Sequence, residues 1–167
     1  MGATYRKEAA VAHIRGLVDA DSEQIVSLWL LAAEPIFASF EKVLGHQIYT
    51  LVYSDWRRRQ KEIVEKVCQN KGIVTLVAES DDRVVGFIGY EIRGETGEVM
   101  LLAVHPDYQN QGIGTDLNKS ALEKMKTAGA KYAEVATGGD PGHAPARRSY
   151  EKAGYIPLPL VRYYKAL

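Results

Sequence analysis

The sequence predicts an α/β (α+β) fold with a central mixed, mostly antiparallel, six- to seven-stranded sheet flanked by about four to five helices. Residues 73–104 alternate apolar and polar side chains with period two, and turns at Asp81-Asp82 and residues 94–97 divide them. This pattern is typical of three antiparallel strands joined by hairpins. The segments on both sides have apolar residues at helical spacing. At 167 residues the chain fits one domain, since domains usually contain about 100–200 residues.

The part before the hairpins is predicted to contain one strand and three helices. Residues 11–18 are expected to form the first strand, and Asp19 to Ser22 supply side chains that cap helices. Apolar spacing predicts helices over residues 22–32, 36–44 and 47–69, with Pro35 between the first two and Gly45 at the end of the second.

The part after the hairpins is predicted to alternate helices and strands. We expect a helix over residues 112–127, a strand over 132–137 and a helix over 146–153. A final pair of strands is predicted over residues 155–160 and 161–165. Pro157 and Pro159 cannot donate to a ladder, so this segment should be irregular or lie at an edge of the sheet.

The charge balance, the cysteine content and the first ten residues limit the expected partners and the expected compartment. Lysine plus arginine total 21 and aspartate plus glutamate total 21, so no net field attracts nucleic acid or anionic lipid, and we expect neither nucleic acid nor a membrane as partner. Cys68 is the only cysteine, which excludes an internal disulfide and suits a reducing compartment. Residues 1–10 lack the apolar core of a secretory signal. We therefore expect a flexible segment over 1–10, a single domain over 11–167, and a cytoplasmic protein.

The loop between the third hairpin strand and the next helix has the features of an anion site. Gly112 and Gly114 at the helix start let an anion approach bare backbone amides, and the helix dipole adds to the attraction. A nucleotide P-loop needs Lys and then Ser or Thr after its second glycine, where this chain has Thr115-Asp116. A dinucleotide fingerprint needs glycine or alanine where Leu117 stands. Those two nucleotide motifs are excluded, and a glycine-capped surface turn is the alternative without function.

These residues resemble the GNAT superfamily of N-acetyltransferases, whose cofactor loop follows the pattern Gln/Arg-x-x-Gly-x-Gly/Ala. Here it is Gln109-Asn110-Gln111-Gly112-Ile113-Gly114, directly after a strand that ends Ala103-Val104. Residues 149–155, Ser-Tyr-Glu-Lys-Ala-Gly-Tyr, are similar to the last helix of the family and the strand that follows it. The order of the predicted elements agrees from residue 11 to the end.

The resemblance implies acetyl-CoA (coenzyme A) as cofactor, no metal, and transfer of the acetyl group to an amine. The residues implied to bind the cofactor are Leu102, Ala103, Val104, Gln109, Asn110, Gln111, Gly112, Ile113, Gly114, Thr115, His143 and Tyr150. Among them the amide of Leu102 would stabilise the thioester oxygen, and Val104 would pair with the pantetheine arm.

Two catalytic side chains are implied. An acceptor amine with a pKa of about 10.4 is an ammonium at neutral pH and must lose a proton before it attacks. Glu98 resembles the general-base glutamate of the histone-acetylating branch, with His143 and Glu134 as alternatives. Tyr150 stands where the family has the tyrosine that protonates the departing thiolate.

His143 is a departure from the family, which usually has Asn seven residues before that tyrosine. The preceding loop, residues 138–145, is rich in glycine and proline. It either brings His143 to the cofactor or only connects a strand to a helix, and we interpret His143 as a cofactor contact.

The acceptor is expected to be a small-molecule or peptide amine. The segment from Leu30 to Trp56 offers aromatic side chains with Glu34 and Glu41, which suit a cation, although helical spacing also fits packing in the core. A polyamine, an aminoglycoside-like drug, an amino acid and a protein amine all stay open. The alternative function is a sensor module that binds acyl-CoA without catalysis, and the chain is expected to be a monomer or a homodimer.

Overall fold

Five strands form one sheet in the computed structural model, which describes residues 12–167. They are β1 (His13–Gly16), β2 (Ile73–Ser80), β3 (Arg83–Arg93), β4 (Thr96–Val104) and β5 (Tyr132–Val135). Their order in the sheet is β1-β2-β3-β4-β5, and only the β4–β5 pair is parallel. The predicted α/β (α+β) class with a mixed, mostly antiparallel sheet is confirmed, while the sheet has five strands in place of six to seven.

Residues 12–167 contain four α-helices, and three of them pack on the faces of the sheet. They are α1 (Ser22–Tyr53), α2 (Trp56–Gln69), α3 (Ile113–Thr127) and α4 (Ala144–Lys152). Ile25 of α1 and Val64 of α2 are buried against Phe87 on one face. Leu117 of α3 is buried against Ile88 on the other face. The alternation of side chains along β3 therefore supplies two separate cores, as expected for a sheet that is covered on both sides.

The helix boundaries between residues 22 and 69 differ from those predicted. The expected break at Pro35 is wrong, because α1 continues through it. A proline removes only one backbone donor, and burial of Ala33 and Phe37 on either side holds the helix in place. The predicted end at Gly45 is confirmed in its backbone, whose φ of 76° and ψ of 157° are not helical. The predicted helix over 47–69 is wrong as one unit, since it is interrupted between Tyr53 and Trp56.

The predicted pair of strands at the carboxyl end is also wrong. Residues 153–167 contain neither helix nor strand. Pro157 and Pro159 lack the N–H that a ladder needs, which removes two of the bonds that could hold such a strand. The side chains of this segment are largely exposed, among them Ile156, Leu158, Leu160, Val161 and Tyr163.

Two further expectations concern the first ten residues and a membrane span. The predicted flexible segment over 1–10 lies outside the described residues. No helix within residues 12–167 is long and apolar enough to cross a membrane.

Candidate active site

A cleft opens where β4 and β5 stop pairing. Val99 lies opposite Val135 at the last paired position, and β4 continues for five more residues to Val104. A bulge adds to the divergence, because Tyr90 of β3 pairs with Val99 while Gly89 pairs with Leu101, which leaves Met100 without a partner in β3. The resulting cleft has a volume of about 500 Å³ and is lined by β4 residues 100–104 on one side and residues 135–137 on the other.

The amino-terminal end of α3 forms one mouth of this cleft. Gly112 precedes the helix with a φ of 90°, and no side chain caps the helix start. Asn110 has a φ of 61°, and the Nε2 atom of Gln109 donates to the carbonyl oxygen of Val104 at 3.0 Å, which ties the loop to the end of β4. Because the first amides of a helix lack intrahelical acceptors, an uncapped start offers them to an anion.

Basic side chains of α4 lie at the same cleft. Arg148 and Lys152 are four residues apart on α4 and both line the cleft. Together with the start of α3 they would offer cationic and amide partners to the phosphate groups of coenzyme A. The residues present therefore fit this cofactor: phosphates at α3 and α4, and a narrow arm between the diverging strands.

Tyr150 of α4 lines the same cleft. Its side chain is 8% exposed, and no residue within 12–167 hydrogen-bonds its hydroxyl. Burial raises the pKa of Tyr150, and the neighbouring Tyr155 raises it further. The phenol is therefore protonated at neutral pH, which is the form that donates a proton.

His143 also lines the cleft, from a short turn before α4. Its Nδ1 atom is 2.5 Å from Oδ1 of Asp140, and the imidazole and carboxylate side chains are 17% and 9% exposed. Phe40 of α1 packs on the imidazole, with ring centroids 5.6 Å apart. The loop that contains His143 thus leads from β5 to α4, packs against α1 and forms part of the cleft wall.

Glu98 lies outside the cleft lining. Its carboxylate receives a hydrogen bond from Nη2 of Arg93 at 2.5 Å. The strand registers place Glu98 beside Glu91 of β3 and Glu134 of β5. Its side chain is on the face of the sheet that α1 and α2 cover, but it lies where β4 and β5 are still paired, before the point at which the strands diverge.

The first helix supplies the remaining wall. The part of α1 that lines the cleft is apolar and comprises Trp29, Ala32, Ala33, Pro35 and Ile36. The other aromatic residues singled out in this region pack with one another, and Phe37 stacks on Trp56 with centroids 4.1 Å apart. Glu34 pairs with Arg57, and Glu41 pairs with His46, both on the surface. The aromatic residues therefore serve the core, and neither glutamate lines the cleft.

Most of the residues implied by the sequence come together in one place. All of the predicted cofactor residues except Gln111 line the cleft, and so does Tyr150, while Glu98 does not. Sequence reasoning missed Arg148 and Lys152. It expected the segment over residues 30–56 at the acceptor, but with aromatic side chains and glutamates where the cleft has the apolar wall of α1. It also missed Asp140 as the partner of His143, although a carboxylate three residues before a histidine is a visible signal in the sequence.

The fold and this cleft suit a class of protein that binds a long phosphorylated ligand, with room for phosphates at a helix start and for a narrow arm between two strands. A model described as the acetyltransferase (GNAT) family matches residues 42–155, which is more than half of the chain. The chain therefore belongs to the GNAT family of acetyltransferases.

Curated relatives match over short regions. A mycothiol acetyltransferase from Sanguibacter keddieii is 31% identical over 87 residues, which cover 48% of this chain and 27% of that protein. A mycothiol acetyltransferase from Beutenbergia cavernae is 35% identical over 63 residues, which cover 38% of this chain and 20% of that protein. The match thus spans about a quarter of the length of these relatives.

Solved structures share the fold over nearly the whole chain. The aminoglycoside N-acetyltransferase AAC(6')-Iy with CoA superposes with a TM-score of 0.64 and 13% identity, covering 96% of this chain and 97% of that one. PaiA N-acetyltransferase from Thermoplasma acidophilum, with coenzyme A, gives 0.64 and 20%, covering 87% and 90%. A ribosomal-protein-alanine N-acetyltransferase from Brucella melitensis gives 0.60 and 18%, covering 92% and 100%. The family and these CoA complexes agree with the prediction of acetyl-CoA as cofactor.

Proposed function

We propose that this chain transfers the acetyl group of acetyl-CoA to a primary amine by direct attack in a ternary complex. The observation that supports this most strongly is the continuity of the cleft. It runs from the uncapped start of α3, past the diverging strands, to the wall formed by α1 and His143. A donor held at the first end and an acceptor at the second would meet beside Leu102 of β4.

The chain's own residues have distinct roles in this reaction. Bound acetyl-CoA supplies the acetyl group as a thioester, which an amine attacks. The loop from Gln109 to Thr115 holds the phosphates, and the amide of Leu102 stabilises the thioester oxygen. Tyr150 donates its phenolic proton to the departing sulfur. Direct attack is supported because Cys68, the only cysteine, lies in α2 and does not line the cleft.

The lining of the cleft favours a particular class of amine. Its wall on α1 is apolar, and within residues 12–167 no aspartate or glutamate lines the cleft. A polycation would lose hydration there without gaining a carboxylate partner. We therefore infer an acceptor with one amine on an apolar or uncharged body. A small molecule and the end of a peptide both satisfy this description, and nucleic acid and membrane are not proposed as partners.

A matched panel of amines tests the proposal. Purified protein is incubated with acetyl-CoA and benzylamine, ethylamine, glycinamide, spermidine or kanamycin, and both thiol release and the acetylated product are measured. We expect the monoamines to be acetylated faster than the two polycations. Acetyl-CoA binding with no acetylated product from any amine would favour a sensor module, and faster acetylation of the polycations would contradict the acceptor class.

A further inference from the structure

We propose that His143, held by Asp140, is the general base that takes the proton from the acceptor ammonium. This inference rests on the proposed transfer to an amine and adds the group that activates the amine. It assigns a catalytic role to His143 and a positioning role to Asp140.

The contact between the two side chains fixes which nitrogen can act. A carboxylate only accepts hydrogen bonds, so the Nδ1 atom that lies 2.5 Å from Oδ1 of Asp140 carries the proton. The Nε2 atom of the neutral ring then has a lone pair. No residue within 12–167 hydrogen-bonds Nε2, and His143 lines the cleft. The ring is thus held with one nitrogen committed to Asp140 and the other available as a base.

The loop around the pair is built to hold this arrangement. Nη1 of Arg147 donates to the carbonyl oxygens of Gly138 and Asp140, the latter at 2.8 Å. The amide of Gly142 donates to Oγ of Ser39 at 3.0 Å and to Oδ2 of Asp140 at 2.9 Å. Bonds to α1 and to α4 therefore fix the loop at both ends.

Two glycines are required for this close packing. A Cβ atom on Gly142 would lie 2.8 Å from the Cα of Ile36 in α1, and one on Gly138 would collide with the imidazole of His143 and with Asp140. The glycine-rich character of residues 138–145 thus has a structural reason: the loop must lie against α1 and also under the histidine ring.

The groups that surround His143 and Asp140 favour an ionised carboxylate on Asp140, which the proposal requires. Burial alone would raise the pKa of Asp140, but hydrogen bonds from His143, Ser39 and Gly142 hold it below its usual range, so the carboxylate is ionised. From α1, burial and the hydrogen bond with Tyr164 raise the pKa of Tyr53 to about 12, so that phenol is neutral. Arg147, which is next to the pair, is bound to two carbonyl oxygens, and Arg162 lies beside Tyr53 and Tyr164.

The step conserves atoms and charge. The acceptor ammonium gives one proton to Nε2 of His143, which later passes it to solvent. The C–N bond forms as the C–S bond of the thioester breaks. The nitrogen loses its second proton to solvent through the same imidazole, while Tyr150 protonates the sulfur and is reprotonated from solvent. The products are the amide, the thiol of coenzyme A and one proton.

His143 meets a geometric condition for this role that Glu98 does not. A base must lie within hydrogen-bond reach of the amine, directly or through one water. His143 lines the cleft, whereas the carboxylate of Glu98 is engaged by Arg93 outside it.

A pair of amines of similar size separates catalysis from structure. Ethylamine is protonated at pH 7.5, while 2,2,2-trifluoroethylamine is already neutral and needs no initial base. Relative to the wild type, we expect His143→Gln to lower kcat with ethylamine by about 10²–10³-fold and to lower kcat with trifluoroethylamine at least tenfold less. His46→Gln is the control, because His46 also pairs with a carboxylate, Glu41, but on the surface. Equal losses for the two amines, or a larger loss with Glu98→Gln than with His143→Gln, would overturn the proposal.

The tautomer of His143 provides a readout that needs no substrate. In ¹⁵N spectra of histidine-labelled protein, with His143→Gln for assignment, we expect the neutral ring to carry its proton on Nδ1. Asp140→Asn should shift it toward Nε2, because the new amide can donate to Nδ1. A wild-type ring protonated on Nε2 would overturn the proposal. Failure of acetyl-CoA to bind would refute the proposed function instead. The tautomer of His143 would still test whether Asp140 holds the proton on Nδ1.

Discussion

Val99 of β4 and Val135 of β5 form the last paired position between these two strands, and the cleft begins directly beyond them. Their pairing holds the strands together at one end, while the bulge at Met100 and the early end of β5 let them separate at the other. The position of the cleft is therefore set by strand pairing. A bulky side chain at the residue after Val135 should fill the cleft.

Ala136 tests this directly, because it follows Val135 and lines the cleft. We expect Ala136→Trp to weaken acetyl-CoA binding at least tenfold, since the indole would occupy the space of the pantetheine arm. Binding of adenosine 3',5'-diphosphate, which lacks that arm, should change little. The control is Tyr132→Trp, on an exposed position of β5. Calorimetry with both ligands measures this, and an equal loss for the two ligands would speak against an arm between the strands.

Tyr150→Phe tests the proton donor. The change removes one oxygen from a buried ring and should lower kcat by about 10²–10⁴-fold with little effect on acetyl-CoA binding. Tyr155→Phe is the matched control, since Tyr155 packs edge-on against Tyr150 and its hydroxyl bonds Asn118 outside the cleft. Steady-state kinetics of both variants measure the effect. Unchanged turnover in Tyr150→Phe would remove this tyrosine from the mechanism.

Asp21 should make stability depend on pH. Its buried carboxylate accepts a hydrogen bond from Nη1 of Arg15 at 2.7 Å, which is the main reason that its pKa lies below its usual range. An Asp with a lowered folded pKa stabilises the protein above its unfolded value of about 3.9, and this contribution is lost as pH falls through the folded value. We expect Asp21→Asn to reduce the free energy of unfolding by about 1.5–3 kcal/mol at pH 7 and by less near pH 3.

Urea denaturation at pH 7 and pH 3 measures that difference. The exposed neighbour Asp19 provides the control, and Asp19→Asn should change the free energy of unfolding by less than about 0.5 kcal/mol at either pH. If Asp21→Asn lowered the free energy of unfolding more at pH 3 than at pH 7, the prediction would be contradicted.

The exposed segment after α4 should mediate association of two copies. Ile156, Leu158 and Leu160 are each more than four-fifths exposed, and within residues 12–167 the outer edge of β5 has no strand partner. Exposed apolar patches and free edges favour association. We expect sedimentation velocity to show a dimer at micromolar concentration, and Leu158→Lys with Leu160→Lys to yield the monomer. The control is Leu51→Lys, because the side chain of Leu51 is exposed on α1. A wild-type monomer at every concentration would contradict this expectation.

Local patterns predicted most of the fold. The three hairpin strands and α3 are where alternation and apolar spacing place them, because each pattern matches a face that is buried. The errors fall where distant contacts decide. Helix α1 continues through Pro35 because Phe37 is packed in the core. The segment after Tyr155, which was predicted to form two strands, does not pair with the sheet.

The same distinction applies to the candidate site. The loop from Gln109 to Thr115 is continuous in sequence, so its glycines predicted an anion site. The apolar wall of α1 and the cations of α4 reach the cleft only through tertiary packing, which no local pattern shows. His143 was implied by its distance from Tyr150 in the sequence, whereas the hydrogen bond that it donates to Asp140 depends on a turn that the sequence did not specify.

Calorimetric titration of acetyl-CoA into the wild type, Gly112→Asp and Gly129→Asp tests the central claim most directly. Both glycines have positive φ, 90° at the start of α3 and 95° after its end, and neither has an atom within 4 Å of an added Cβ. Both variants thus place a side chain at a similar positive φ, but only Gly112→Asp adds a carboxylate at the proposed phosphate site. We predict tight binding by the wild type and Gly129→Asp, and none by Gly112→Asp. Equal binding by both variants, or none by the wild type, would contradict the account.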